Sequence, residues 1–232
     1  MTDDYSIVPA GDAVLLVAFA ARLDAAINAR VVWMADALRR LRWPGVRDVV
    51  PAYHSLAVYF DPLRTDIERL APQLERLAVQ SRETPVPDVT VREVPVCYGG
   101  IYGPDLDAIA ESTGLAAETI IARHAAPEYR VFMVGFMPGF AYLGPVDPSI
   151  AVPRRATPRI RVPVGSVGIA GQQTGIYPSE TPGGWMLIGR TPLRPFQPGR
   201  DEPFALKPGD AVRFVAIDAD EYRRLATTAG ER

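Results

Sequence analysis

The sequence predicts an α+β protein, with a small N-terminal α+β domain over residues 1–84 followed by a β-barrel domain over residues 85–232. Two observations lead to this prediction. The first 84 residues alternate apolar runs of strand length with amphipathic stripes of helix length. Glycine and proline, 19 and 23 in number, are concentrated in residues 135–209, where they interrupt short apolar runs. Such spacing is typical of a barrel with many tight turns and disfavours long helices.

The N-terminal elements begin with a buried-strand candidate and an amphipathic helix. The strand candidate covers residues 13–19, and the apolar side chains that follow it recur at spacings of three and four, as one face of a helix requires. These side chains are Leu23, Ile27, Val31, Met34, Leu38 and Leu41. Pro44 and Gly45 are expected to end the helix.

Two strands and a second helix complete the N-terminal domain. Strand candidates cover residues 46–53 and 55–60, and the second of them alternates in polarity. A further apolar stripe over residues 67–77 predicts a helix, which Pro72 is expected to kink or split. The order β-α-β-β-α indicates a sheet with two helices on one face. The polar segment 81–90 is expected to be the linker.

The second domain is predicted to be mainly strands. Residues 89–98 alternate as a strand does, and two short helices are expected at 105–112 and 117–124, with Gly114 as a cap between them. From Tyr129 onward, short apolar runs between turns indicate the barrel strands. The segment from Asp218 to Arg232 is charged and rich in alanine, which predicts a short terminal helix.

Composition excludes several classes of protein. The net charge of −2 argues against a general nucleic-acid binder. Lys207 is the single lysine, and because Pro208 follows it the chain has no P-loop. With one cysteine and two histidines, no internal disulfide or cysteine-rich metal site is expected. The longest apolar run, residues 13–21, is too short to span a bilayer, and Asp3 and Asp4 stand where a signal peptide is positive, so a soluble cytoplasmic protein is expected.

Several motifs together resemble one known family. The two longest are EYRVFMVGFMPGFAYLG, which begins at Glu128, and VPRRATPRIRVPVGSVGIAGQQTGIYPSETPGGWMLIGRTPL, which begins at Val152. GDAVLLV at 11–17, VPVCYGGIYGPDL at 94–106 and KPGDAVRF at 207–214 fit the same pattern. With these motifs the chain resembles the family of KipI, allophanate hydrolase subunit 1 and the 5-oxoprolinase protein PxpB. The resemblance covers nearly the whole chain and implies that the barrel is cyclophilin-like.

The resemblance also implies partners and an activity. The family works as a heteromer with a larger C-type subunit (KipA/PxpC-like), in a module similar to the carboxyltransferase part of urea carboxylase. In the 5-oxoprolinase system a LamB/YcsF-like A subunit joins them, and ATP cleavage drives the opening of 5-oxoproline to L-glutamate. This chain is expected to be inactive alone and to bind no cofactor or metal, with ATP used through another subunit. No nucleic acid or membrane is expected as a partner. The alternatives are a KipI-like inhibitor of a sensor histidine kinase and subunit 1 of an allophanate or urea-derivative hydrolase.

Four arginines in residues 154–161 form one candidate substrate-binding group. Arg154, Arg155, Arg159 and Arg161 have no acid between them, and a guanidinium binds a carboxylate through two parallel hydrogen bonds. Strand alternation would turn Arg159 and Arg161 to the same face, which makes these two the preferred substrate-binding candidates. The alternative is a solvated loop or a docking surface for a partner subunit.

The segment GQQTGIYPSE, residues 171–180, forms a second candidate group. Gln173, Thr174 and Tyr177 could hydrogen-bond a lactam or urea-like group, and Glu180 is a candidate general base. Gln172 stands where the family resemblance leads us to expect a glutamate, which leaves Glu180 as the nearest acid. The alternative is a β-hairpin whose polar side chains satisfy backbone groups.

Individual residues outside these groups carry further hypotheses. His124 is a candidate acid–base catalyst, or alternatively a positive charge at a helix end. Arg190 follows a strand and a glycine, so it is a candidate for the substrate pocket or for an interface. Cys97 is expected to be a small buried hydrophobe rather than a nucleophile.

The aromatic residues of the second domain are expected to be structural. Phe132, Phe136 and Phe140 recur at a spacing of four, which predicts core and barrel lining. Trp185 follows a proline and two glycines and is expected to cover one end of the barrel.

Overall fold

The computed structural model describes residues 4–87 and 89–230, and the chain divides into two compact units, Met1–Asp88 and Val89–Arg232. The linker predicted at 81–90 contains this division. Residues 231 and 232 of the predicted terminal helix, and Asp3 of the N-terminal segment, lie outside the described residues.

The first unit is an antiparallel sheet with two helices. Its strands are β1 (Tyr5–Pro9), β2 (Val14–Phe19), β3 (Val46–Pro51) and β4 (Ser55–Phe60), and its helices are α1 (Ala25–Leu41) and α2 (Ile67–Gln80). The strand order is β1-β2-β4-β3. Asp24 caps α1 by accepting the backbone N–H of Ala26 and Ile27, and Asp66 caps α2 by accepting that of Arg69.

Both helices cover the same face of this sheet, as predicted. Helix α1 packs on β3 and β4, and α2 packs on β1 and β2. The inward-facing residues of β2 and β4 meet the apolar stripes of the helices in one core. Its buried members include Leu15, Val17, Phe19, Val31, Met34, Leu38, Leu56, Val58, Phe60, Leu70, Leu74 and Leu77.

Two features of this unit differ from the prediction. Strand β1 was not predicted. Helix α2 continues through Pro72, so the predicted split is wrong. Pro72 lies in the first half of the helix, where it removes the backbone hydrogen bond to residue 68. The burial of Leu70, Leu74 and Leu77 against the sheet keeps the helix continuous.

The second unit is a closed barrel with three helices and a small separate sheet. The barrel strands are β5 (Val91–Tyr98), β6 (Tyr129–Val134), β7 (Ala141–Gly144), β9 (Ser166–Ala170), β10 (Gln173–Ile176), β12 (Met186–Arg190) and β13 (Ala211–Ile217). The separate sheet pairs β8 (Arg159–Val162) with β11 (Thr181–Gly183). The helices are α3 (Leu106–Thr113), α4 (Ala117–Ala125) and α5 (Ala219–Gly230). This architecture confirms the predicted α+β fold with a C-terminal barrel.

The barrel closes through the order β10-β7-β6-β13-β5-β12-β9, with β9 returning to β10. Strands β5 and β13 run parallel, and the other neighbouring pairs are antiparallel. Inward-facing aliphatic and aromatic side chains fill the interior. They include Val94, Val96, Val131, Leu143, Val167, Ile169, Ile176, Ile188, Val212 and Phe214. The interior is therefore a packed core.

Helices α3 and α4 pack against β12 and β13 respectively. Gly114 lies between them in the left-handed conformation, with φ of 68°, and ends α3 as predicted. Cys97 is buried in β5, and burial raises the pKa of its thiol, which agrees with the predicted structural role. No helix in the described residues is long and apolar enough to cross a membrane.

The turn before α3 approaches β12 so closely that only glycine fits at its centre. A Cβ on Gly103 would lie 1.9 Å from the carbonyl oxygen of Ile188. Two residues later, the backbone N–H of Asp105 donates to the carbonyl of Leu187 at 2.9 Å. The glycine therefore allows the turn to place Asp105 directly against β12.

Candidate functional site

The second unit contains a cavity of about 250 Å³ that is walled by aromatic side chains, and we call it the aromatic pocket. Its lining comes from the turn between β6 and β7, from β7, and from the segments that flank the small β8–β11 sheet. The lining residues are Phe136, Phe140, Tyr142, Arg154, Pro158, Tyr177, Pro182, Gly183, Gly184 and Trp185. All of them belong to one compact unit.

The walls of the aromatic pocket are aromatic rings packed edge to face. The Phe140 ring lies 5.0 Å from the Tyr177 ring and 5.4 Å from the Trp185 ring, with interplanar angles of 85° and 83°. The Tyr142 ring lies 5.8 Å from Trp185. These are favourable geometries for aromatic pairs. Because Phe140, Tyr177 and Trp185 are also buried, the walls are rigid.

Gly183 allows the floor of the aromatic pocket to close. A Cβ at this position would lie 2.5 Å from the Tyr177 hydroxyl oxygen, so a larger residue would displace the phenol. The Tyr177 hydroxyl accepts a hydrogen bond from the Trp185 backbone N–H. Burial raises the pKa of Tyr177, which keeps the phenol neutral.

Arg154 stands at the mouth of the aromatic pocket. Its Cζ lies 6.0 Å from the centre of the Trp185 ring. The backbone on both sides is fixed, since Gly171 donates to the Val152 carbonyl at 2.7 Å and Arg155 donates to the Gly184 carbonyl at 2.8 Å. Within the part of the chain that the structure describes, Arg154 has no carboxylate partner. The site therefore combines flat apolar walls with one unneutralised guanidinium.

The charge of Arg154 reaches the phenols of the pocket. Burial raises the pKa of both Tyr142 and Tyr177, and the Arg154 charge partly opposes this increase in each. The guanidinium is thus close enough to act electrostatically on groups in the walls.

Phe136 forms an exposed rim of the aromatic pocket, and its predicted place in the core is wrong. Its side chain is 64% exposed, whereas Phe132 and Phe140 are buried as predicted. The turn is closed by hydrogen bonds from Gly135 to Phe140 and from Phe140 to Met137. Within it Phe136 takes a left-handed φ of 67°, which costs about 1 kcal/mol for a residue other than glycine. This conformation turns the ring outward to the pocket mouth.

Asp105 anchors the arginine segment to the barrel. Its side chain is 4% exposed, and its two carboxylate oxygens accept from Arg159 at 2.6 and 2.8 Å and from Arg155 at 3.0 Å. The Leu187 backbone N–H on β12 also donates to it, at 2.6 Å. Every oxygen of this buried carboxylate is therefore hydrogen-bonded.

The surroundings of Asp105 determine its charge. Burial by itself would raise the pKa of the carboxyl. Hydrogen bonds from Arg159 and Leu187, with the charges of Arg159 and Arg155, outweigh burial and hold the pKa below its ordinary value. Asp105 is ionised at neutral pH and fixes both arginines. No local motif in the sequence predicts this role for Asp105.

The two arginines preferred from the sequence bind carboxylates of the chain itself. Arg159 is hydrogen-bonded to the carboxylate of Asp105. Arg161 is 75% exposed and pairs with Glu180 across the β8–β11 sheet, at 2.7 Å. Glu180 is itself exposed and does not line the aromatic pocket. The structure therefore brings Arg161 and Glu180 together beside the pocket and leaves Arg154 facing into it.

His124 and Thr174 form a buried polar group inside the barrel unit. The Nδ1 atom of His124 lies 2.8 Å from the Tyr98 hydroxyl, and Nε2 lies 2.8 Å from the Thr174 hydroxyl. The ring stacks on Phe214, with centres 4.6 Å apart. Both residues are fully buried and neither lines the aromatic pocket. The acid–base role of His124 and the substrate contact of Thr174 stay predictions that this placement does not support.

The other predicted site residues lie in separate places. Tyr177 forms a wall of the aromatic pocket. Gln173 is partly buried at the start of β10, opposite Ala170. Arg190 ends β12 with its Cζ 5.9 Å from the Tyr102 ring, and its Nε is buried with no hydrogen-bond partner in the described structure.

Metal-binding side chains are not clustered in the described residues. No group of three or more histidine, cysteine, aspartate or glutamate side chains there could hold a metal ion. The chemistry that this site offers is ring packing and binding of an anion.

Comparison with known proteins gives one family and a relative that matches over nearly the whole chain. The family model described as carboxyltransferase domain, subdomain C and D, matches residues 5–206. A Bacillus subtilis (strain 168) protein, named as the B subunit of 5-oxoprolinase, is 38% identical over 232 residues, which cover 96% of this chain and 97% of that protein. The Escherichia coli O157:H7 protein of the same name is 45% identical over 181 residues, 77% of this chain and 82% of that protein.

Solved structures share the fold. The crystal structure of TTHA0988 is 39% identical to this chain and superimposes with a TM-score of 0.79. The match covers 89% of this chain and 40% of that chain. This chain therefore spans less than half the length of that protein.

Asp105→Asn is expected to destabilise the second unit by about 3 kcal/mol, because it leaves two arginines without a counter-charge at a buried site. Asp107→Asn is the matched control, since Asp107 is exposed two residues later on α3. Urea unfolding followed by fluorescence, in a background where Trp33 and Trp43 are phenylalanine, reports on the second unit through Trp185 alone. Equal stability of the two variants would contradict the anchoring role of Asp105.

The stability of the second unit is expected to fall below pH 6.5 because of His124. Burial lowers the pKa of this ring from 6.5 to about 3, so between these values the unfolded chain binds a proton that the folded chain does not. Stability is complete above pH 6.5 and declines toward pH 3, by at most about 1.4 kcal/mol per pH unit. His124→Gln should be less stable at pH 7.5 and show a flatter profile. Identical slopes for both proteins between pH 6.5 and 5 would contradict this account.

Proposed function

We propose that this chain, which belongs to the carboxyltransferase domain family of subdomains C and D, is the B subunit of a 5-oxoprolinase that opens 5-oxoproline to L-glutamate with partner subunits. The observation that carries the proposal is the match to relatives of that name, which covers 96% of this chain for the Bacillus subtilis protein and 77% for the Escherichia coli protein. The aromatic pocket supports it, because its walls and Arg154 suit a small substrate with a ring and a carboxylate.

The overall reaction is hydrolysis of a lactam. Water adds to the ring carbonyl carbon, the C–N bond breaks, and the nitrogen takes a proton to become the amine of glutamate. Amides resist attack by water at neutral pH, and ATP cleavage supplies the driving force. We assign ATP binding to another subunit, since Lys207 is the single lysine of this chain and does not belong to a P-loop. No cofactor is assigned to this chain.

The partners that we propose are a larger C-type subunit (KipA/PxpC-like) and a LamB/YcsF-like A subunit. A chain that offers a pocket but has no P-loop is expected to rely on other subunits to activate the substrate. We propose that the chain is inactive alone for this reason. Cytoplasmic location stays a prediction.

Glu180 stays in the proposal as a general base, with Arg161 as its positioning residue. Arg161 holds the exposed Glu180 carboxylate through an ion pair at 2.7 Å, on a segment that continues into the pocket-lining Pro182 and Gly183. A general base must be held within reach of the proton that it removes. His124 is left out because its ring lies in the barrel interior.

Reconstitution tests the proposed function. The chain is co-expressed with the C-type and A-type subunits, and ATP-dependent glutamate release from 5-oxoproline is measured with each of the three omitted in turn. We expect activity only with all three. Activity without this chain would overturn the proposal. Hydrolysis of allophanate in place of 5-oxoproline, or inhibition of a histidine kinase by a chain that supports no hydrolysis, would favour the corresponding alternative.

Glu180→Gln is expected to lower kcat of the reconstituted complex about 100-fold or more with little change in KM, as removal of a general base does. Arg161→Gln should give a smaller loss of kcat, because the carboxylate remains but is no longer fixed. Glu202→Gln is the matched control, since Glu202 is another exposed glutamate with a basic partner, Lys207. A kcat for Glu180→Gln equal to that of the control would exclude the catalytic role.

A further inference from the structure

We infer that the aromatic pocket is a binding site for a small flat ring that carries a carboxylate, and that Arg154 is the residue that binds the carboxylate. The ligand class is cyclic lactam acids, of which 5-oxoproline is one. The assignment of the ligand as a lactam rests on the proposed function. The assignment of a ring and a carboxylate to the ligand follows from the pocket itself.

The distribution of charge around the arginine segment favours an external anion at Arg154. Asp105 neutralises Arg155 and Arg159, and Glu180 pairs with Arg161. Arg154 is thus the member of the group for which the described chain provides no carboxylate. A guanidinium presents two parallel N–H groups to a carboxylate, which gives both affinity and orientation.

The position of Arg154 fits this role. Its backbone is fixed by hydrogen bonds at Val152 and at Arg155, on either side. Its guanidinium stands over the edge of a cavity whose other walls are aromatic. A carboxylate bound there would place the rest of the ligand against Trp185 and Tyr142.

The size and walls of the aromatic pocket limit the rest of the ligand. Its volume of about 250 Å³ is below the range of about 300–1,000 Å³ that drug-sized ligands occupy, which disfavours nucleotides and extended peptides. Flat apolar walls formed by Phe140, Tyr142 and Trp185 pack best against a planar group. A five-membered ring satisfies both conditions.

The conformation of Phe136 gives independent support. The exposed ring and the left-handed backbone at Phe136 each carry a free-energy cost. Both are explained if the ring is held at the mouth to cover a ligand. Phe136 lies 5.6 Å from Phe140, so it extends the aromatic wall outward.

Fluorescence of Trp185 provides a direct binding assay on the full chain. In the Trp33→Phe, Trp43→Phe background, Trp185 is the remaining tryptophan and lines the pocket. Titration with 5-oxoproline should give a saturable change. 2-Pyrrolidone, which lacks the carboxylate, and acetate, which lacks the ring, should each require at least tenfold higher concentrations. Equal responses to all three compounds would overturn the inference.

Variants separate the carboxylate site from the walls. Arg154→Gln should weaken 5-oxoproline binding by about 10- to 100-fold, the loss expected for hydrogen bonds to a charged group. It should leave the weak binding of 2-pyrrolidone unchanged. Arg213→Gln is the matched control, because Arg213 lies on β13, pairs with Glu128 and does not line the pocket. Phe136→Gly should weaken binding without lowering the thermal midpoint, since it also relieves the left-handed strain.

The KM of the reconstituted complex distinguishes this inference from the proposed function. If the complex releases glutamate while neither its KM nor Trp185 responds to Arg154→Gln, the pocket assignment is wrong and the proposed function stands. If the complex is inactive while Trp185 responds as expected, the pocket assignment stands and the proposed function fails. If Arg161→Gln abolishes binding and Arg154→Gln leaves it unchanged, the ligand carboxylate binds Arg161 and the assignment to Arg154 is wrong.

Discussion

The hydrogen-bonded ion pairs of Asp105 are the constraint on which the functional surface of the second unit depends. A carboxylate that is almost wholly removed from water is tolerated only when strong donors replace its hydration, and here two arginines and a backbone N–H do so. The same contacts fix the segment 155–159 against β12. Because Arg154 precedes that segment directly, the position of the guanidinium at the pocket mouth is a consequence of how Asp105 is satisfied.

The interior of the barrel shows the same dependence on satisfied polar groups. His124 lies among Tyr98, Tyr129, Thr174 and Phe214, and its two nitrogens both meet hydroxyl groups. Its backbone carbonyl accepts the hydroxyl of Tyr129 at 2.9 Å. A fully bonded polar group in an apolar core favours one packing arrangement over others of similar volume. Through Thr174 it also ties α4 to β10.

Local pattern was sufficient to predict most of the fold. Apolar spacing located α1, α2 and six further elements before β6, because each buries one face and the side chains repeat with the helix or strand period. It missed β1, a short strand at the edge of its sheet. It placed Phe136 in the core, which is wrong. A spacing of four puts side chains on one face only where the backbone is regular, and a tight turn lies between Phe136 and Phe140.

For the site, the sequence predicted the arginine segment but not the role of each arginine in it. Asp105 is about fifty positions from its arginines, so no local pattern shows which of the four arginines it neutralises.

The parallel pairing of β5 with β13 has a consequence for folding during synthesis. These are the first and last barrel strands in the chain, and more than a hundred residues separate them. A ribosome that adds about 5–20 residues per second needs on the order of 6–20 s to synthesise the residues between β5 and β13. Until β13 has been made, the edge of β5 that pairs with it stays unpaired. The N-terminal unit, whose strands all lie within residues 5–60, can complete its core meanwhile. Closure of the barrel is therefore a late, long-range event, and the nascent chain is most exposed to misassociation just before β13 emerges.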